Sequence, residues 1–148
     1  MKKKYKLLLT FLAVASIAFS QNTLEQKDSI AKSLLPIDGK AIVYLLRPSG
    51  FGTLVKMNLE CDSVHIGSTK AFKYVYSILE PGTHTFLSKA ENKKSLTITL
   101  ESGKIYYIKQ EVKMGVFFAE TGLKLLDEGD GKKGLGKCSL SKDNVFSN

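Results

Sequence analysis

The sequence contains no tryptophan and little arginine. Four of its 22 basic side chains are lysines within the first six residues. The rest of the chain has 18 basic side chains, all lysines except Arg47, against 14 acidic ones, a net charge of +4. Nucleic-acid recognition favours arginine forks and clustered positive faces, so we expect no nucleic-acid partner. Dispersed lysines are typical of solvated strand faces.

Long hydrophobic runs are also lacking, apart from residues 7–19, which are shorter than the roughly 20 residues of a membrane-spanning helix. Lysines precede this run, and it ends at Ala18, Phe19 and Ser20, just before Gln21. The pattern predicts a signal peptide over residues 1–20, cleaved between Ser20 and Gln21, with an uncleaved anchor as the alternative. No cysteine follows the cut, so no lipid attachment is expected there. We expect an exported protein, periplasmic or secreted, without a transmembrane segment in its mature form.

Cysteine is scarce too, and Cys61 and Cys138 lie 77 positions apart. An exported protein meets an oxidising compartment, where thiols pair. We therefore predict a disulfide between them, which the chain-entropy argument values at roughly 4 kcal/mol. Two buried free thiols are the alternative.

Residues 40–140 consist of short β-branched and aromatic runs divided by glycine, proline, asparagine and aspartate. This sequence pattern predicts an all-β domain. We expect a single antiparallel β-sandwich of about seven strands, with a short C-terminal helix or irregular tail. Residues 21–39 are interpreted as a linker or N-terminal arm with a weak helical pattern that Pro36 ends. Residues 141–148 are interpreted as a C-terminal tail.

Two local patterns give sharper predictions. Residues 41–46 are continuously apolar, as expected of a central strand buried on both faces. The turn at Glu80, Pro81, Gly82 and Thr83 has the residues of a type II turn. It predicts a hairpin between the alternating runs on either side of it.

Several motifs resemble catalytic or phosphate-binding patterns without completing them. Residues 131–137 have the phosphate-loop spacing, but Cys138 replaces the hydroxyl residue and no parallel α/β context surrounds it. Residues 29–32 and 139–142 fit Ser-x-x-Lys but lack the companion elements of penicillin-recognising enzymes. The acidic cluster at residues 127–130 lacks calcium-loop spacing. We predict no catalytic residue and no cofactor.

The two histidines, His65 and His84, lie in predicted strands. With Asp62 or Glu80 they suggest a metal site, but three or more converging ligands are needed, so we favour ordinary surface histidines and predict no metal. The aromatic residues are expected mainly to fill the core, although an exposed row of rings could stack on sugar or peptide. They include Tyr44, Phe51, Tyr74, Tyr76, Tyr106, Tyr107, Phe117 and Phe118.

Four segments carry a family resemblance: residues 41–48 (AIVYLLRP), Ile66-Gly67, residues 81–84 (PGTH) and residues 103–108 (GKIYYI), with a late Cys138. In this order they resemble a bacterial family of exported domains of unknown function, over about residues 40–140. The resemblance implies a sandwich-like β-fold in secreted proteins and lipoproteins, with no known catalytic residue.

These observations favour a noncatalytic exported module that binds an envelope protein or glycan. Arg47, Phe51 and His84 are the candidate interface residues, because the loop after Arg47 places a cation beside an aromatic ring at a strand end. Two alternatives remain: a small β-domain that holds an apolar ligand such as a lipid between its sheets, and an uncharacterised hydrolase.

Overall fold

The computed structural model describes residues 22–116 and 119–145, so the predicted signal peptide and the Phe117-Phe118 pair lie outside the described residues. The described elements, in chain order, are α1 (Leu24–Lys32), β1 (Ala41–Arg47), β2 (Met57–Cys61), β3 (Val64–Thr69), β4 (Lys73–Leu79), β5 (Gly82–Lys89), β6 (Lys93–Leu100), β7 (Lys104–Met114), β8 (Ala119–Leu126), α2 (Glu128–Gly136) and β9 (Ser139–Leu140).

The strands form two sheets, which we name sheet A and sheet B. Sheet A has the order β8-β7-β1-β4-β9, and sheet B has the order β3-β2-β5-β6. The predicted all-β sandwich is confirmed, and the described part of the chain forms nine strands where the sequence indicated about seven. Two pairings are parallel, β1 with β7 and β4 with β9, whereas we expected antiparallel pairs throughout.

Strand β1 lies at the centre of sheet A, and all seven of its residues are buried. This confirms the strand predicted to be covered on both faces. Ala41, Val43 and Leu45 point into an apolar cluster shared with sheet B. Ile42, Tyr44 and Leu46 alternate to the opposite face, into a second cluster that includes residues of both helices. The molecule therefore has three layers: sheet B, sheet A and the two helices.

The turn at residues 80–82 does not close the predicted hairpin. Strand β4 pairs within sheet A with β1 and β9, whereas β5 pairs within sheet B with β2 and β6. The turn thus carries the chain from one sheet to the other. Its residue types indicate a change of chain direction, but they do not specify which sheet receives the next strand.

Helix α1 lies within the segment interpreted as a linker or arm. Thr23 and Gln26 form a capping box at its N-terminus, which satisfies backbone donors there. The helix is attached to the rest of the fold at its middle and at its C-terminal end. Asp28 accepts a hydrogen bond from the Leu140 backbone N–H at 2.7 Å, and Lys32 donates to the Cys138 carbonyl at 2.6 Å.

Helix α2 covers most of the glycine-rich stretch that matched the phosphate-loop spacing, so of the two expectations for this part of the chain, a short helix or an irregular tail, the helix is present. Asp127 caps it by accepting a hydrogen bond from the Asp130 N–H at 2.9 Å. Gly131 and Gly134 are buried and face sheet A. An added Cβ at Gly131 would lie 2.2 Å from the Tyr107 ring, so glycine is what permits this close approach.

Among the described residues, neither helix is long and apolar enough to cross a membrane.

Candidate functional site

Arg47 is the last residue of β1, and it is fully buried. Its guanidinium donates three hydrogen bonds to backbone carbonyls of the following loop: to Phe51 at 2.9 Å, Gly52 at 2.6 Å and Val55 at 2.7 Å. Burial lowers the pKa of Arg47 from its ordinary value. The guanidinium of this predicted interface residue is thus directed inward, onto the backbone of the loop.

The loop that Arg47 holds lies at one end of the sandwich, which we name the loop end: residues 48–56, residues 70–72 and residues 113–116. The ring of Phe72 lies against Gly50, and Val112 lies against Gly52. In the parallel pairing of β1 with β7, Leu46 lies beside Lys109. Strand β7 continues to Met114, so it extends past the end of β1 into the loop end.

The loop end exposes a group of large apolar side chains. Leu54 is 92% exposed and Val116 is 89% exposed. Phe51, Phe72 and Met114 are also exposed there. Large apolar side chains gathered in one region of a protein surface are typical of interaction sites, whereas single ones are not informative. Phe51, one of the predicted interface residues, is therefore exposed among other apolar side chains at the loop end.

A buried polar network supports the loop end from inside the sandwich. The Thr69 hydroxyl donates to the Gln110 side-chain carbonyl, and the Gln110 amide donates to Ser88 Oγ at 2.6 Å. Ser88 and Thr121 share a hydrogen bond of 2.6 Å between their hydroxyls. These hydrogen bonds connect strands of both sheets. Sequence reasoning missed the network, because each member looks like an ordinary polar residue on a strand.

The opposite end of the sandwich, which we name the His84 end, contains the turns at residues 61–64 and 80–82. His84 Nε2–H donates to the Glu80 carbonyl at 2.9 Å, and its Nδ1 lies 2.6 Å from Asp62 Oδ2. The Cys61 thiol lies 3.7 Å from the same carboxylate oxygen and 3.9 Å from Nδ1. The structure thus brings together three groups that are separated in the sequence.

The Asp62 carboxylate is held in place from several sides. The Thr85 N–H donates to its Oδ1 at 2.9 Å, and this hydrogen bond, followed by the one with His84, lowers the pKa of Asp62. Asp62 and Ser63 both have positive φ, 49° and 68°, in the two-residue turn between β2 and β3. His65, the other histidine considered in the metal hypothesis, is exposed on β3 and pairs with Glu60.

The predicted disulfide is not formed. Both cysteines are free and buried: Cys61 belongs to the cluster between the sheets, and Cys138 to the cluster between sheet A and the helices. Sheet A separates the two clusters. A spacing in the sequence carries no information about which side of a sheet each thiol reaches.

We expect both thiols to resist alkylation in the native protein and to react after unfolding without reductant. Burial, together with the negative charge of Asp62, raises the pKa of Cys61 to about 12, and burial raises that of Cys138 to about 11. Mass spectrometry after iodoacetamide treatment in denaturant should show two adducts. A denatured, unreduced protein that gains none would mean that the thiols are paired.

The tyrosines expected to fill the core do so. Tyr44, Tyr74 and Tyr107 are buried beneath the helices, and the Tyr44 and Tyr107 rings stack with centroids 5.5 Å apart. Beside them a groove of about 510 Å³ runs between α1 and α2, with Lys32 and Lys132 among its lining residues. The Ser-x-x-Lys matches have structural roles: Lys32 pairs with Asp28, and Ser139 accepts a hydrogen bond from Lys73.

Comparison with known proteins gives two findings. Residues 37–123, more than half of the chain, match the family described as "Protein of unknown function (DUF2846)". An uncharacterised protein of Haemophilus influenzae is 30% identical over 136 residues, which cover 91% of this chain and 79% of that protein. The matched family region includes Arg47, Cys61, Asp62 and His84, whereas α2 lies beyond it. The chain therefore belongs to the DUF2846 family of proteins of unknown function.

Proposed function

We propose that this protein is a noncatalytic exported module that binds a protein of the bacterial envelope through its loop end. One observation carries the proposal: a buried arginine holds a loop whose outward side chains, Phe51 and Leu54, are apolar and exposed. Preorganising a loop in this way lowers the entropy lost on binding. Export rests on the leader pattern of residues 1–20.

The chemistry of the loop end favours a protein over a glycan. Its exposed rings, Phe51 and Phe72, are phenyl groups without a hydroxyl, and Leu54, Met114 and Val116 are purely aliphatic or thioether side chains. Sugar binding needs polar groups that satisfy the sugar hydroxyls as well as a ring to stack upon. Apolar side chains of this kind match the apolar centre of a protein interface.

An apolar ligand between the sheets has less support. The space between sheet A and sheet B is occupied by fully buried side chains, including Val43, Leu45, Leu59, Phe86 and Ile108. A lipid in that space would have to displace well-packed side chains, each worth about 1.5–3 kcal/mol when buried. A hydrolase that used Cys61 as its nucleophile also has less support, since the raised pKa of Cys61 disfavours the thiolate at neutral pH.

The proposal is tested by capture of the protein from its own cells after mild crosslinking. We expect one envelope protein to be captured in near-stoichiometric amount, and the double variant Phe51→Ser/Leu54→Ser to reduce its yield at least about tenfold, a loss of about 1.4 kcal/mol. The intact mass of the captured bait should correspond to a chain that begins at Gln21.

Val64→Ser is the matched control, because Val64 is 62% exposed but lies at the His84 end. It should retain the partner, and all variants should show the wild-type melting temperature. Equal loss of the partner in the control would contradict the placement of the site at the loop end. Recovery of glycan instead of protein would contradict the choice of partner.

A further inference from the structure

We infer that Cys61, Asp62 and His84 form a zinc-binding site at the His84 end. We searched residues 22–116 and 119–145 for groups of three potential metal ligands, and these three residues form the one group found. Their donor atoms all lie within 4.8 Å of one another. The site lies at the opposite end of the sandwich from the loop end, so the inference does not depend on the proposed binding function.

The distances are close to those of a metal centre. With Zn–S near 2.3 Å and Zn–N and Zn–O near 2.0–2.1 Å, tetrahedral geometry separates sulfur from nitrogen or oxygen by about 3.5 Å. The thiol lies 3.9 Å from Nδ1 and 3.7 Å from Oδ2. Nδ1 and Oδ2 are closer, at 2.6 Å, which is a hydrogen-bond distance. A small rotation of the Asp62 carboxylate would open this gap for a cation.

The orientation of His84 supports ligation by Nδ1. Its Nε2–H donates to the Glu80 carbonyl, which leaves Nδ1 directed at the thiol and the carboxylate. Histidines that bind metals commonly donate their second ring N–H to a carbonyl or carboxylate in this manner, which fixes the ring. The backbone N–H of Thr85 holds the carboxylate in a comparable way.

The backbone of the turn determines where the Asp62 carboxylate lies. Asp62 and Ser63 adopt positive φ in a two-residue turn where Asn-Gly would be the less strained choice. Aspartate tolerates this conformation better than most residues, and the turn directs its carboxylate toward His84. Strained backbone of this kind is concentrated at functional sites.

The donor set indicates the metal. One thiolate, one imidazole and one carboxylate suit Zn²⁺, whereas Mg²⁺ and Ca²⁺ require oxygen ligands. On binding, the thiol proton and the proton of the hydrogen bond between His84 and Asp62 pass to solvent, and Zn–S, Zn–N and Zn–O bonds replace the S–H bond and that hydrogen bond. Three protein ligands leave a fourth position for water or an exogenous ligand. Cys61 is 4% exposed, but Asp62 and His84 give access from the surface.

The test measures zinc binding by untagged, reduced protein in competition with a chromophoric chelator. We expect one Zn²⁺ per chain, and at least about tenfold weaker binding in His84→Ala and in Asp62→Asn. Co²⁺ added in place of zinc should give a thiolate charge-transfer band in the near ultraviolet. That band should be absent in Cys61→Ser.

His65→Ala and Cys138→Ser are the matched controls, since one removes the exposed histidine and the other removes the thiol behind sheet A. Both should bind zinc as wild type does. If Cys61→Ser fails to fold, the surface variants His84→Ala and Asp62→Asn still decide the question. Wild-type protein that binds no zinc at micromolar concentration overturns the inference. Undiminished binding by His84→Ala also overturns it.

Discussion

Gly131→Ala is expected to destabilise the protein by about 3 kcal/mol and to lower its melting temperature by roughly 10 °C. The new Cβ would lie 2.2–2.5 Å from three atoms of Tyr107, whose ring is stacked on Tyr44 and cannot move freely. Helix α2 must shift away from sheet A or the ring must leave its position. Thermal unfolding followed by circular dichroism measures the effect.

Gly136→Ala is the control within the same helix. A Cβ at Gly136 meets nothing within 4 Å, and the residue is exposed. Alanine there should leave the melting temperature unchanged or raise it slightly, because alanine forms helix better than glycine. Equal melting temperatures for the two variants would show that α2 does not pack against Tyr107 at this distance.

Arg47→Met is expected to destabilise the protein by about 2–4 kcal/mol. Methionine retains much of the apolar volume of the arginine stem, but it leaves the carbonyls of Phe51, Gly52 and Val55 without their charged donor. Arg47→Lys should give a smaller loss, because one ammonium cannot reproduce the planar fork that spans three carbonyls. Urea unfolding gives the free energy, and limited proteolysis reports opening of the loop.

Lys70→Ala provides the comparison at the same end of the sandwich, since Lys70 is exposed. It should unfold within about 0.5 kcal/mol of the wild type. If Arg47→Met were equally harmless and its loop remained resistant to protease, Arg47 would not organise the loop. Contacts other than those of Arg47 would then hold the loop end in shape.

Arg47 shows most clearly what the sequence indicates and what it leaves open. The sequence correctly placed it at a strand end, next to a loop that exposes Phe51. It did not indicate that the guanidinium turns inward, because a lone arginine is usually a surface residue. Only the tertiary structure reveals three carbonyls within hydrogen-bonding distance.

Helix α2 shows a second limit of prediction from the sequence, that of local helix propensity. Its sequence, EGDGKKGLG, includes four glycines, each costing about 1 kcal/mol in a helix interior. Intrinsic propensity therefore argues against a helix. Packing of Gly131 and Gly134 against Tyr107 and Leu46 supplies the stabilisation that the local sequence lacks, so the element depends on tertiary contact.

By itself, the sequence determined the all-β class, the doubly buried strand β1 and the positions of most turns, since these follow from local periodicity and turn chemistry. The tertiary structure decided which strands share a sheet, that β1 and β7 run parallel, and that Cys61 meets His84 rather than Cys138. Such pairings depend on contacts between distant segments. The side of the sheet that each residue faces is decided only when the layers assemble.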